Sequence, residues 1–387
     1  MLTFNHLRIS KFVRNWIEKN QNLLLLRSRL KKEIPKHYLK EFYKSWVFNH
    51  LGTRRKQIET ATDQLFPLTI KISPTLRCNL KCKGCFAGNY PVENDLALTT
   101  LEKIVSQAES MGILSIGIIG GEPLLIPDIF ELFKKFSNVG FYLVTNGTLI
   151  DAQIVDELQE LPHVVTIFSI EGFEETNDFL RGEGVFHKII SAMKKMKEAK
   201  LIFGFSTVVH KENLQEVISE TYLDFMIENG CFFGGFLPYI PVGSSPRHEV
   251  VCNEKEVKNY YLKLNEISKA KPMLILKEGY SDGTFLNQGC GAGQTIHITS
   301  NGEAEPCNGI EFFTNNIYAS SIKDIFMSEF FQDIRRLHPQ NGKRCLTINA
   351  PEEILRIVKK HNARATHDQA LEHLEEYISL KSRTEFA

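Results

Sequence analysis

Between residues 68 and 270 short apolar runs alternate with longer amphipathic stretches, and this alternation constrains the fold more than any other feature of the chain. The runs Leu68–Ser73, Leu114–Ile119, Phe141–Thr145, Val164–Ile170, Leu201–Val209 and Cys231–Tyr239 have strand length and are rich in β-branched and aromatic residues. Between them, Thr99–Met111, Pro127–Phe136, Asp151–Leu161, Phe186–Ala199 and Leu214–Asn229 carry helical spacing, and Glu254–Ala270 follows the last strand. Six strand–helix units in sequence predict a parallel sheet with helices outside it. Periodicity alone leaves open whether that sheet is open or rolled into a partial barrel.

The ends of the chain read differently. Residues 1–56 hold 14 Lys/Arg against only Glu18, Glu33 and Glu41, while the remainder holds 32 Lys/Arg against 43 Asp/Glu, so a formal net charge of +0 hides a basic N-terminal segment. Ile9, Phe12, Val13, Trp16 and Ile17 fall on one helical face, and Leu39, Phe42, Tyr43, Trp46 and Val47 repeat the spacing beyond Pro35. Such basic amphipathic helices suit either an anionic membrane surface or packing on the body of the protein; packing is the favoured reading. Leu23–Leu26 is too short for a membrane span or a signal peptide, so the expected address is cytoplasmic. No segment has the character of a nucleic-acid module. After residue 280 the chain reads as a hairpin, Ile296–Thr299 and Glu303–Pro306 around Ser300-Asn301-Gly302, followed by helices at Ile322–Leu337, Pro351–His361 and His367–Leu380.

Eight cysteines in a reducing compartment are not expected to form disulfides, so the clustered ones point to metal or catalysis. Directly after the first strand comes Cys78-Asn-Leu-Lys-Cys82-Lys-Gly-Cys85, three thiols that one compact loop can bring to one centre. A structural zinc site wants four closed ligands, whereas a [4Fe–4S] cluster on three thiolates keeps an open iron. Gly120-Gly121-Glu122-Pro123 ends the second strand, Thr145-Asn146-Gly147-Thr148 the third, and Ser169-Ile170-Glu171-Gly172 the fourth; Arg181 follows in Leu180-Arg-Gly-Glu-Gly.

This triad after the first strand of an α/β domain resembles the radical S-adenosylmethionine (SAM) superfamily, and the resemblance runs over roughly residues 66–245. It implies a partial (β/α)6 TIM-like barrel in which Cys78, Cys82 and Cys85 hold a [4Fe–4S] cluster. It also implies SAM contacts from Gly120, Gly121, Glu122, Asn146, Ser169, Glu171 and Arg181. The implied activity is reductive cleavage of SAM to a 5′-deoxyadenosyl radical, which abstracts hydrogen from a substrate. Two positions depart from the family pattern: Gly84 stands where many members have an aromatic residue, and Glu171 where an Asp is commoner. Tyr239-Ile-Pro-Val-Gly243 resembles the stretch that borders the adenine.

Cys290, Gly302 and Cys307, with Cys345 further on, resemble the start of a SPASM or Twitch region, reduced in its cysteine count. A candidate auxiliary cluster would use Cys290, Cys307 and Cys345, with a fourth donor such as His297; the bland alternative is buried thiols. Cys231 and Cys252 are expected to be ordinary residues. The expected organisation is a basic helical extension (1–60), a core domain (66–280), a SPASM/Twitch-like region (281–350) and C-terminal helices (351–387). The resemblance further implies ferredoxin or flavodoxin as electron donor and favours a precursor peptide or protein as substrate. A lipid or small metabolite is the alternative substrate class. A non-catalytic iron–sulfur or zinc redox sensor is the rival from another class, and no cobalamin-binding segment precedes the barrel.

Overall fold

A computed structural model describes residues 21–49, 67, 69–88, 94–113, 115–243, 245–279, 289–338 and 344–384. The helical pattern of Ile9–Ile17 and the strand positions Leu68 and Leu114 lie outside the described residues.

Seven strands run in parallel in chain order: β1 (Ile70–Ile72), β2 (Ser115–Ile118), β3 (Gly140–Thr145), β4 (Val164–Ser169), β5 (Phe203–Val209), β6 (Phe233–Pro238) and β7 (Leu274–Lys277). Between them lie α3 (Leu98–Ser110), α4 (Ile129–Lys135), α5 (Ala152–Gln159), α6 (Glu174–Arg181) with α7 (Val185–Glu198), α8 (Leu214–Val217) with α9 (Glu220–Glu228), and α10 (Glu254–Ser268). The helices start where local chemistry lets them: Asp151 and Ser219 accept from Ile154 N and Tyr222 N, and Asn253 with Glu256 forms a reciprocal cap. One face of the sheet, with Phe141, Leu143, Phe168, Phe205 and Phe236 fully buried, packs under the helices. The register puts Lys71, Gly117, Tyr142, Val144, Ile167, Ser169, Ser206, Val208 and Gly235 on the other face.

That inner face closes on itself. Lys71 of β1 lies 3.5 Å from Glu278, which directly follows β7, although six strand pairings separate β1 from β7 in the sheet. The sheet is therefore rolled into a partial barrel, as expected, with a seam beyond β7. β8 (Ile296–Ile298) joins the far side of β1 in parallel, and β9 (Glu303–Glu305) pairs antiparallel to β8 as the expected hairpin. The chain continues through β10 (Phe312–Phe313), β11 (Asn315–Asn316), α11 (Ile322–Met327), α12 (Glu329–Arg336), α13 (Leu346–Asn349), α14 (Pro351–Lys360), β12 (Arg364–Ala365) and α15 (Ala370–Thr384). Two long helices expected from periodicity are each broken by a serine that caps a new helix, Ser219 and Ser328.

The described N-terminal part packs on the barrel. In α1 (Gln21–Glu33), Arg29 donates to Cys231 O (2.8 Å) and Ile227 O (3.1 Å) and lies over the Phe232 ring. α2 (Lys36–Phe42) buries Tyr38 and Leu39, and Trp46, in the π-helical turn that follows, donates to His163 O and covers Gly140. Cys231, His163 and Gly140 all sit at the amino-terminal ends of strands, so this segment covers the bottom of the barrel. No helix among the described residues is long and apolar enough to cross a membrane.

Candidate active site

The opposite, carboxy-terminal face collects the loops that carry the sequence motifs, as barrels of this kind require of an active site. The cysteine loop follows β1 and is fixed by its neighbours' backbones. Gly121 N donates to Thr75 O (3.0 Å), Glu122 N to Arg77 O (2.9 Å), and Lys83 N to Leu180 O (2.8 Å) at the end of α6. Gly120 and Gly121 are required by this close approach: a Cβ on Gly121 would stand 2.1 Å from Arg77 O, and one on Gly120, at φ +111°, 2.5 Å from Thr75 O. These two glycines thus admit the cysteine loop itself.

Cys78, Cys82 and Cys85 are free thiols on this loop, partly accessible to solvent. Leu80 N (3.4 Å) and Asn146 Nδ2 (3.8 Å) approach Cys78 Sγ, and Arg181 Nη1 lies 4.0 Å from Cys82 Sγ. Burial raises the Cys78 thiol and pushes Cys82 up to about 11, with Arg181 opposing the rise at Cys82. Among the described residues no group of three or more His, Cys, Asp or Glu is set to hold a single metal ion.

Each remaining motif residue has a definite place. Glu122 is buried and its carboxylate accepts from Thr145 Oγ1, Asn146 N and Leu124 N, which joins the β2 loop to the β3 loop. Burial nevertheless raises its pKa above the usual carboxylate value. Asn146 donates to Asn79 Oδ1 (2.8 Å), inside the cysteine loop. Ser169 ends β4 beside Ser206 of β5. Glu171 accepts from Arg181 Nη2 (2.5 Å) and Val208 N (2.8 Å), so Arg181 is held between a carboxylate and the cysteine loop. The Nε–H of Arg181 is buried without a partner. Sequence reasoning missed Asn213, whose side chain donates to Glu171 O and Val208 O and accepts from His210 N. A lone asparagine in a polar loop offers no pattern that would reveal it.

The other cysteines divide cleanly. Cys290 and Cys345 are hydrogen-bonded to each other, and Cys307 lies close enough to feel their charge. The Cys345 thiol and the backbone N–H groups of Ala292 and Leu346 hold Cys290 below the usual thiol value. All three stand by the barrel seam, where Cys345 N donates to Gly279 O (3.0 Å) just beyond β7. His297 is not free to join them: its Nε2 meets Ser73 Oγ at 2.7 Å and its Nδ1 meets Glu305 Oε2 at 2.6 Å. Cys231 and Cys252 lie in the hydrophobic core, where burial raises both thiols.

Comparison with known proteins places part of the chain in a known superfamily. Residues 72–220 match the Radical SAM superfamily. The chain is 24% identical over 307 residues to an AdoMet-dependent heme synthase of Methanosarcina barkeri, covering 72% of this chain and 87% of that protein. It is 33% identical over 171 residues to the PqqA peptide cyclase of Bradyrhizobium diazoefficiens, covering 42% of this chain and 44% of that one. Among solved structures, SuiB of Streptococcus suis bound to its precursor peptide SuiA superposes with a TM-score of 0.59 at 20% identity, over 73% of this chain and 70% of SuiB. Residues 72–220 thus form a Radical SAM superfamily domain.

Proposed function

We propose that Cys78, Cys82 and Cys85 hold a [4Fe–4S] cluster at which SAM is cleaved, and that the substrate is a peptide or protein. The observation that carries the site assignment is the set of three thiols on one loop with Arg181 beside them, its Nε–H buried and unpartnered. The donor set fits the group: thiolates suit iron–sulfur chemistry, and Cys78, Cys82 and Cys85 are three free thiols on one loop. When bound, the cluster and SAM supply the electron transfer and the carbon radical that no side chain can provide.

The protein's own residues position and shield. Arg181 offers a donor to an acceptor at the cysteine loop, and Glu171, accepting from Arg181 and Val208 N, fixes where that donor stands. Gly120 and Gly121 hold the β2 loop against the cysteine loop, and Glu122 ties it to Asn146. Ser169 lies at the rim of the inner face and is assigned a SAM contact. Reduction of the cluster calls for an external donor of the ferredoxin or flavodoxin type.

Support for a peptide substrate comes from the similarity to a PqqA peptide cyclase and to SuiB, whose structure contains a precursor peptide. The similarity to a heme synthase over 307 residues favours a second reading, a small metabolite. Cys290, Cys307 and Cys345 are assigned to an auxiliary cluster on the ground that Cys290 and Cys345 are bonded to each other and Cys307 interacts with the charge of both. Its fourth position is not filled by His297.

The test is anaerobic reconstitution with iron and sulfide, followed by dithionite and SAM, with 5′-deoxyadenosine measured by mass spectrometry. The wild type is expected to form it and a Cys78/Cys82/Cys85→Ala variant to form none. About four irons per chain would indicate one cluster and about eight the auxiliary cluster as well. Zinc uptake with no SAM cleavage would overturn the reading. Candidate precursor peptides added to the same assay, with mass change as readout, test the substrate class.

A further inference from the structure

Tyr239 follows β6 and is the side chain that closes on the cysteine turn from the other side of the barrel mouth. Its hydroxyl oxygen stands 3.1 Å, and its ring 3.2 Å, from the point where a Cβ would sit on Gly84, between the second and third cysteines. Gly84 has φ +70°, a conformation that favours glycine, and the missing side chain leaves room for the tyrosine ring. The same loop touches the turn a second time: a Cβ on Gly243 would stand 2.6 Å from Cys85 O and 2.8 Å from Phe86 Cα. Tyr239 is thereby buried, 7% exposed, and the charge of Cys85 acts on it.

Its hydrogen bonding is half complete. The phenolic oxygen accepts from Arg247 N (2.8 Å), which fixes the hydroxyl and directs its own hydrogen elsewhere. That hydrogen meets no acceptor among the described residues. The two nearby carboxylates, Glu212 and Glu249, both bind the Arg247 guanidinium. The neighbouring imidazole of His210 meets the tyrosine ring edge-on at 6.4 Å, and its Nδ1 already accepts from Glu212 N. A buried hydroxyl hydrogen without an acceptor is costly, and this one stands against Gly84, on the turn between Cys82 and Cys85.

We infer that Tyr239 donates its phenolic hydrogen to a sulfur of the cluster held by Cys78, Cys82 and Cys85, and so raises that cluster's reduction potential. The inference rests on the proposed function. The direction follows from charge: reduction adds a negative charge to the cluster, and a hydrogen bond to sulfur stabilises the more negative state. Tyr239 is then a residue that tunes how readily the external donor can deliver an electron.

The experiment is a redox titration of the reconstituted full chain, followed by electron paramagnetic resonance, on wild type, Tyr239→Phe and a protein with 3-fluorotyrosine introduced at position 239. Phenylalanine keeps the ring against Gly84 but removes both the donor and the oxygen that accepts from Arg247 N; fluorotyrosine keeps the hydroxyl and donates more strongly. The midpoint potential is expected to fall in Tyr239→Phe and to rise with fluorotyrosine, at equal iron content. Equal potentials in wild type and the fluorotyrosine protein would overturn the inference, and that arm decides even if Tyr239→Phe takes up no cluster. A wild type that binds no iron would instead overturn the proposed function, and this inference with it.

Discussion

Gly121 and Gly235 show how differently two glycines of one barrel can matter. A methyl on Gly121 would sit 2.1 Å from Arg77 O, a backbone atom that cannot turn aside. One on Gly235 would meet its nearest neighbour, Phe205 O, at 3.6 Å, which is ordinary contact. Gly121→Ala is therefore expected to displace the cysteine loop, to cost about 1–3 kcal/mol, and to lower iron uptake on reconstitution. Gly235→Ala is expected to change neither by a measurable amount. Urea unfolding and iron analysis of both variants check the pair; equal behaviour would mean that the loops do not press together as described. The sequence displays the Gly-Gly pair plainly but not its contact with the cysteine loop, because a tetrapeptide at a strand end does not show which chain segment crosses it. The same holds for Gly84, whose partner Tyr239 is supplied from a strand five places along the sheet.

Among the elements, those with a strong apolar period are legible and those without are not. α7 buries Val185, Phe186, Ile189, Ile190, Met193 and Met196, a full stripe, and is foreseen almost to the residue. α6, with the sequence EETNDFLR, buries only Asn177 and Leu180 and gives no stripe to read. β7 has four residues and sits against a lysine-rich stretch, so it falls below the length at which a run declares itself a strand. His163, in the turn before β4, makes a prediction at this scale. It is 5% exposed, its Nε2 donates to Phe133 O (2.9 Å), and burial lowers its pKa below the usual 6.5. The folded protein thus holds His163 neutral while the unfolded chain would protonate it, so stability is present above pH about 6.5 and lost as the pH falls below it. The unfolding free energy should decline by at most about 1.4 kcal/mol per pH unit from this one group. His163→Gln should flatten that part of the curve, measured by urea unfolding from pH 7.5 to 5; an unchanged slope would show that another group is responsible.

At the scale of the whole molecule, closure of the barrel depends on contacts that local periodicity does not record. β8 pairs with β1 across more than two hundred residues, and the seam beyond β7 is bridged by residues from three separate stretches: Lys71, Glu278 and Cys345. Two kinds of interaction meet there, and magnitude decides between them. The Lys71–Glu278 ion pair spans 3.5 Å, but the Glu278 side chain is 56% exposed, so water screens the pair and its net worth is about 0–1 kcal/mol. Lys71 also reaches Asn308 Oδ1 at 3.4 Å, a neutral partner at the limit of bonding distance. Leu346, immediately after Cys345, is fully buried in the main core, and truncating it should cost about 2–5 kcal/mol through lost burial and a cavity. The C-terminal region thus keeps the seam shut by packing, with the ion pair setting direction rather than strength. Glu278→Gln should leave the melting temperature and the backbone exchange of β7 and β8 close to wild type. Leu346→Ala should lower the melting temperature and speed hydrogen–deuterium exchange in β7 and in β8 while β3 and β4, in the middle of the sheet, stay protected. Equal loosening of all four strands would mean that the barrel unfolds as one unit and that the seam has no separate stability. A large loss in Glu278→Gln with little in Leu346→Ala would reverse the assignment and make charge, rather than packing, the force that closes the barrel.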